Sequence, residues 1–202
     1  MADKSLFTAS EVWKGGSYEL FIQAESSKSV CSLLKALWTF PSLEGCYIRQ
    51  DCEPATQSRV QPCENGIEQR LYGLVTLPNR IVIPCASHAM DYAGEAGSPP
   101  AYWISFEMTM CALSISYPVG AYPFGPMHRV SEWKEHVDSF LTDVARWVHG
   151  KVPLGFALVG FEVDTAIVSP NAIRENGIPK ERDAGILWND GTELKWYPAT
   201  RP

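Results

Sequence analysis

The sequence is poor in the patterns that announce chemistry. It has no Gly-x-Gly-x-x-Gly, no phosphate-loop Gly-Lys-Ser/Thr, no Gly-x-Ser-x-Gly and no His-Glu-x-x-His. Those absences argue against the common dinucleotide, nucleotide-phosphate, serine-hydrolase and zinc-protease families, whose reactions need these residues at these spacings. Six cysteines are present, but no Cys-x2-Cys knuckle joins any two of them. A closed structural zinc site usually needs that knuckle, so no metal and no cofactor is expected. Apolar runs are short, and none approaches the roughly 20 residues of a membrane span. The opening Met1-Ala2-Asp3-Lys4-Ser5-Leu6-Phe7 lacks the apolar stretch of a secretory signal. The expected compartment is the cytoplasm, with all six cysteines reduced and no membrane partner. Basic residues are also scarce: 17 Lys and Arg face 23 Asp and Glu, for a net charge of -6. Nucleic-acid binding rests on neutralising phosphates with Lys and Arg, so a nucleic-acid partner is not expected.

What the chain does have is apolar and aromatic mass. Hydrophobic residues make up 46% and aromatics 11% of its 202 residues, enough for a real core. Seven Trp exceed what such a core needs, which predicts that some are partly exposed, as at recognition surfaces. The chain is organised around residues 131–163, a helix that runs into a buried strand. Trp133, Val137, Phe140, Leu141, Val144 and Val148 recur at steps of three and four, one apolar stripe on a helix. Ser131 is placed to cap its start; Gly150, in a left-handed conformation, and Pro153 are placed to end it. Residues 156–163 are apolar on both faces until Glu162, as in a strand covered on both sides.

Elsewhere, Ser17 to Ala24 alternates as a strand. Ser26 or Ser27 then caps a helix with a Val30, Leu33, Leu34, Leu37, Trp38 stripe that Pro41 stops. A short strand is expected around Cys46 to Arg49, within an irregular stretch over 42–68. Residues 70–77 and 80–85 read as a hairpin about Pro78-Asn79, and 91–101 as a flexible loop. Trp103 to Met110 alternates most clearly, with Ile104, Phe106, Met108 and Met110 opposite Trp103, Ser105, Glu107 and Thr109. A second hairpin is expected around Asn189-Asp190-Gly191. This order predicts an α+β fold, an antiparallel or mixed β-sheet with two amphipathic helices packed on one face. It also predicts a single domain over 1–202, with 165–202 as a possible C-terminal hairpin appendage.

Four constellations could carry chemistry. Cys85 and His88 offer a nucleophile and a base, but three residues apart on a strand they face opposite ways, which favours a buried structural thiol. Cys46, Cys52, Cys63, Cys85 and His88 could supply zinc ligands only at poor spacing. Cys46, Cys52 and Cys63 could form disulfides in an exported protein and are otherwise thiols. Glu162 and Asp164 share a strand face and could form an acid–base pair, or simply end the strand in solvent. His128, His136 and His149 have no partner at metal spacing.

The run Leu154-Gly155-Phe156-Ala157-Leu158-Val159-Gly160-Phe161-Glu162 after a Trp-initiated helix resembles the C-terminal signature of a family of uncharacterised bacterial proteins. Leu37-Trp38-x-x-Pro41-x-Leu43-x-Gly45 and Leu71-Tyr72-Gly73 are similar to the same group, over residues 15 to 165. That resemblance implies kinship and no activity. In general build the chain also resembles bacterial toxin-immunity proteins, which implies a small acidic cytoplasmic α+β protein that blocks a toxin by contact. The leading expectation is therefore a non-enzymatic binding protein of this kind. Its contact is expected in the 91–103 stretch through Asp91, Tyr92, Glu95, Tyr102 and Trp103. The alternative is a small hydrolase using Cys85 or the Glu162/Asp164 pair.

Overall fold

The computed structural model describes residues 4–64, 66–92, 101–120, 122, 131–163 and 168–201. Eight strands form one sheet: β1 (Ser17–Ala24), β2 (Leu43–Tyr47), β3 (Leu71–Thr76), β4 (Val82–Tyr92), β5 (Ala101–Thr109), β6 (Phe156–Phe161), β7 (Gly185–Asn189) and β8 (Leu194–Tyr197). Their order is β2-β3-β4-β5-β1-β6-β7-β8, and every neighbouring pair is antiparallel. The fold is α+β, as the sequence predicts, and the sheet is antiparallel rather than mixed.

Two amphipathic helices, α1 (Ser27–Leu37) and α3 (Ser131–His149), build the main core on one sheet face. Ser26 starts α1: its hydroxyl accepts from the Ser29 amide, and Ser29 Oγ accepts from the Ser26 amide. That exchange satisfies two donors a helix start otherwise strands. The stripes of both helices are buried, including Val30, Leu33, Leu34 and Leu37 of α1 and Trp133, Val137, Leu141, Val144 and Val148 of α3. They meet Tyr18, Leu20 and Ile22 of β1 and Ile104, Phe106 and Met108 of β5, all fully enclosed. Truncating one such Leu to Ala costs about 2–5 kcal/mol, because transfer and cavity terms add.

The structure adds two short helices, α2 (Met110–Leu113) and α4 (Pro170–Asn176). Thr109 caps α2 through its side chain, so Met110 begins a helix instead of ending β5. Ser169 caps α4 with Pro170 at its first turn. Seven residues are too few for an apolar period to be read, although Ser-Pro is a start signal. Gly150 is not left-handed as expected. The end of α3 is closed by the Gly150 amide on the Arg146 carbonyl and by His149 Nδ1, which accepts from the Leu154 amide at 3.0 Å. In the C-terminal hairpin, β7 pairs with β6 and β8 with β7, so the hairpin continues the sheet.

The cysteines depart from expectation. Cys31 on α1 and Cys63 in the irregular stretch form a disulfide with Cα atoms 5.7 Å apart, inside the range a bridge requires. Cys46, Cys52, Cys85 and Cys111 are free thiols. Pairing across 32 residues depends on where the irregular stretch lands against α1, which local pattern does not encode. Among the described residues no helix is long and apolar enough to cross a membrane.

Candidate functional site

The sheet face away from α1 and α3 carries two apolar clusters. Phe7, Tyr47 and Leu74 pack at one end. Phe21, Trp103, Phe156, Leu158 and Ile186 pack at the other, joined by Ile173 of α4. Between them lies a polar island from three strands and the residue before β3: Ser17 and Glu19 of β1, Ser105 and Glu107 of β5, His88 of β4, and Arg70. Strand alternation puts these side chains on the same face, and register does the rest, because Glu19 stands directly opposite Glu107 and His88 opposite Ser105.

Every oxygen of the two carboxylates is engaged. Glu19 accepts from the Ser105 hydroxyl and, at 2.9 Å, from the Val163 amide. Glu162 makes the second bond possible. Its φ of 43° turns the chain just past β6, so the following amide points back at the sheet. Glu107 contacts Arg70 Nη2, has His88 Nδ1 at 3.6 Å from the same oxygen, and accepts from Ser17 Oγ at 3.2 Å. Burial dominates at Glu19 and pushes its carboxyl up to about 7, with Glu107 adding to the push and the Ser105 and Val163 bonds opposing it. Burial also raises Glu107, but His88, Arg70 and Ser17 outweigh it and hold that carboxyl below its ordinary value.

Two carboxyls with separated ionisation are the signature of an acid–base pair. Here, however, Glu19 is 9% and Glu107 6% exposed, and no oxygen is left for a substrate. The island is a network of hydrogen bonds and ion pairs that ties the chain after β6 to the sheet, with His88 Nδ1 and the Glu107 oxygen it faces 3.6 Å apart and making no hydrogen bond.

The sequence-predicted candidates fall as follows. Cys85 and His88 both lie on β4 and face opposite sides; Cys85 is enclosed, and burial pushes its thiol well up. Glu162 is exposed just past β6, and Asp164 lies outside the described residues. Among the described residues no group of His, Cys, Asp and Glu is placed to hold a metal. Of the expected contact stretch, Asp91 and Tyr92 belong to β4 and Tyr102 and Trp103 to β5, so they are strand residues, not loop. Asp91 is exposed, directly opposite half-buried Tyr102. Trp103 is not a surface anchor: it is 2% exposed, stacked on Phe21 at 4.7 Å and edge-on to Phe156. Its alternation partners Ser105 and Glu107 are polar, which made its face look solvated. Glu95 and the Tyr92 side chain lie outside the described residues.

A second locus is open. Between α3 and β8 runs a cleft of about 180 Å³ lined by Glu135, Asp138, Ser139, Thr142, Arg146, Trp196 and Pro198. The α3 residues fall at helical steps, a polar strip beside the apolar stripe. The Trp196 indole packs over Gly185 of β7, where an added Cβ would sit 1.9 Å from its ring. Asp138 accepts from the buried Tyr18 hydroxyl at 2.5 Å. Burial raises the Asp138 carboxyl to about 6, while Tyr18 and Lys134 restrain it. Thr142 is 2% exposed, and its hydroxyl has no hydrogen-bond partner among the described residues. Five of the seven Trp are half-buried, Trp196 among them, in line with the composition. No family model, curated protein or solved structure matches the chain.

Proposed function

We propose that this protein is a non-enzymatic binding protein that acts by direct contact with another protein, and specifically an immunity protein that neutralises a bacterial toxin in the cytoplasm. The observation that carries the binding reading is the open α3–β8 cleft, which puts two carboxylates, a half-buried indole and an unpartnered hydroxyl together at the sheet edge. Half-buried Trp beside polar groups is the composition of interface anchors. A surplus of acidic groups speeds encounter with a basic partner. The immunity version draws support from general build alone: small, acidic and α+β.

The alternative, a small hydrolase using Cys85 or the Glu162/Asp164 pair, has less support, because Cys85 is enclosed and Glu162 stands exposed past β6. The cytoplasmic placement meets one opposing fact, since cytosolic thiol pools keep such pairs reduced whereas Cys31 and Cys63 are joined here.

The test is purification of the tagged protein from its native cells, followed by mass spectrometry. The expected result is one stoichiometric partner that arrests growth when expressed alone and does not when co-expressed with this chain. Recovery of a lone monomer, with no partner under gentle lysis, overturns the reading.

A further inference from the structure

We propose that the α3–β8 cleft is the seat for an arginine side chain of the partner protein. The inference rests on the binding reading above and names the chemistry of its contact.

Size comes first. A cleft of about 180 Å³ is slightly larger than the ~150 Å³ cavity that takes benzene and smaller than the ~300–1,000 Å³ of pockets for drug-sized ligands. It holds one side chain, not a nucleotide or a sugar chain. Its lining then selects the side chain. Glu135 and Asp138 stand one turn apart on α3 and present carboxylate oxygens, the natural partner of a planar guanidinium fork. Trp196 supplies the ring on which such a plane stacks, and Pro198 the opposite rim. Thr142 is the independent sign of a missing ligand. It lines the cleft, is 2% exposed, and its hydroxyl has no hydrogen-bond partner among the described residues, an arrangement that costs stability until a donor or acceptor arrives. The chain's own cation in the cleft, Arg146, is drawn aside to Asp143 at 3.6 Å and is 55% exposed, so it marks the rim without filling the seat. Access is open because β8 is the last strand of the sheet.

The probe is capped arginine (N-acetyl-arginine amide), with capped citrulline as its uncharged isostere, titrated into the full chain and followed by amide and indole shifts in NMR. Saturable shifts are expected at Ser139, Thr142 and the Trp196 indole, in about the millimolar range of a single solvent-facing ion pair, with none from citrulline. Glu135→Gln and Asp138→Asn should each weaken binding several-fold, whereas Arg146→Ala should strengthen it by removing a competing cation. Glu135 is exposed, so E135Q reports on the seat even if D138N perturbs the fold. Equal shifts from citrulline, or no shift at about 20 mM arginine, overturn the seat. A co-purified partner that binds E135Q/D138N as tightly as wild type overturns the seat and leaves the binding reading standing. Absence of any co-purified partner overturns the binding reading, whatever the probe does.

Discussion

Replacing Glu19 with Gln should make the protein more stable at alkaline pH, although it removes a charge from a hydrogen-bonded network. Glu19 lies opposite Glu107, is 9% exposed, and has its carboxyl raised from 4.5 to about 7, chiefly by burial. A raised carboxyl means that the folded state holds a proton the unfolded chain releases near 4.5. The stability this group contributes is therefore complete below pH 4.5 and is lost as pH climbs through 7. At 1.36 kcal/mol per tenfold change in proton affinity, the loss amounts to about 3 kcal/mol by pH 8. Gln keeps an acceptor for the Val163 amide and a polar group against Ser105, with no charge to desolvate. E19Q should thus match wild type near pH 4 and exceed it at pH 8 by up to about 3 kcal/mol. In a domain of this size that is about 6–12 °C in melting temperature. Glu107 runs the other way: its lowered carboxyl stabilises above its ordinary value and loses that contribution as pH falls below it, so the acid limb should persist in E19Q. Thermal unfolding from pH 4 to 9, wild type against E19Q, is the assay. A variant less stable than wild type at pH 8, or one with an unchanged slope between pH 5 and 8, would refute the reasoning and make Glu19 a charge the fold needs.

Reducing the Cys31–Cys63 bridge, or changing Cys31 to Ser, should cost about 3–4 kcal/mol, the chain entropy of releasing a loop of 32 residues; a melt with and without reductant reads it, beside a thiol count of four in the oxidised protein and six in the reduced. Gly185→Val should push the Trp196 indole off β7, destabilise by about 1–3 kcal/mol and red-shift tryptophan emission, because an added Cβ overlaps the ring. Cys85 should react with iodoacetamide only as fast as the protein unfolds, since its thiol is enclosed and its ionisation is pushed up; fast labelling at neutral pH would restore the nucleophile reading.

The helices α1 and α3 were legible in the sequence because each buries a single stripe against the core, and one-sided burial leaves a period to read; β1 was legible from the spacing of Tyr18, Leu20 and Ile22, although both of its faces are buried. The polar island was not, and register is the reason. Alternation put Glu19 on the face away from Tyr18, Leu20 and Ile22, and Glu107 on the face away from Ile104, Phe106 and Met108. Only the β1–β5 alignment makes them neighbours, and a one-residue slip would separate them. The same blindness put Trp103 at the surface, since it shares a face with Ser105 and Glu107 and nothing local shows that Phe21 and Phe156 close over it. The cleft left a trace as the polar strip Glu135, Asp138, Ser139, Thr142 and Arg146 on α3. That trace says which way the helix faces, not that Trp196, fifty residues beyond Arg146, returns to wall it.

Recognition of a basic partner through the cleft is read by the equilibrium affinity of the co-purified partner for wild type and for E135Q/D138N, at low and high salt. The double variant should lose at least about tenfold in affinity, with a shallower salt dependence and faster dissociation. Unchanged affinity and salt dependence in the variant would contradict it.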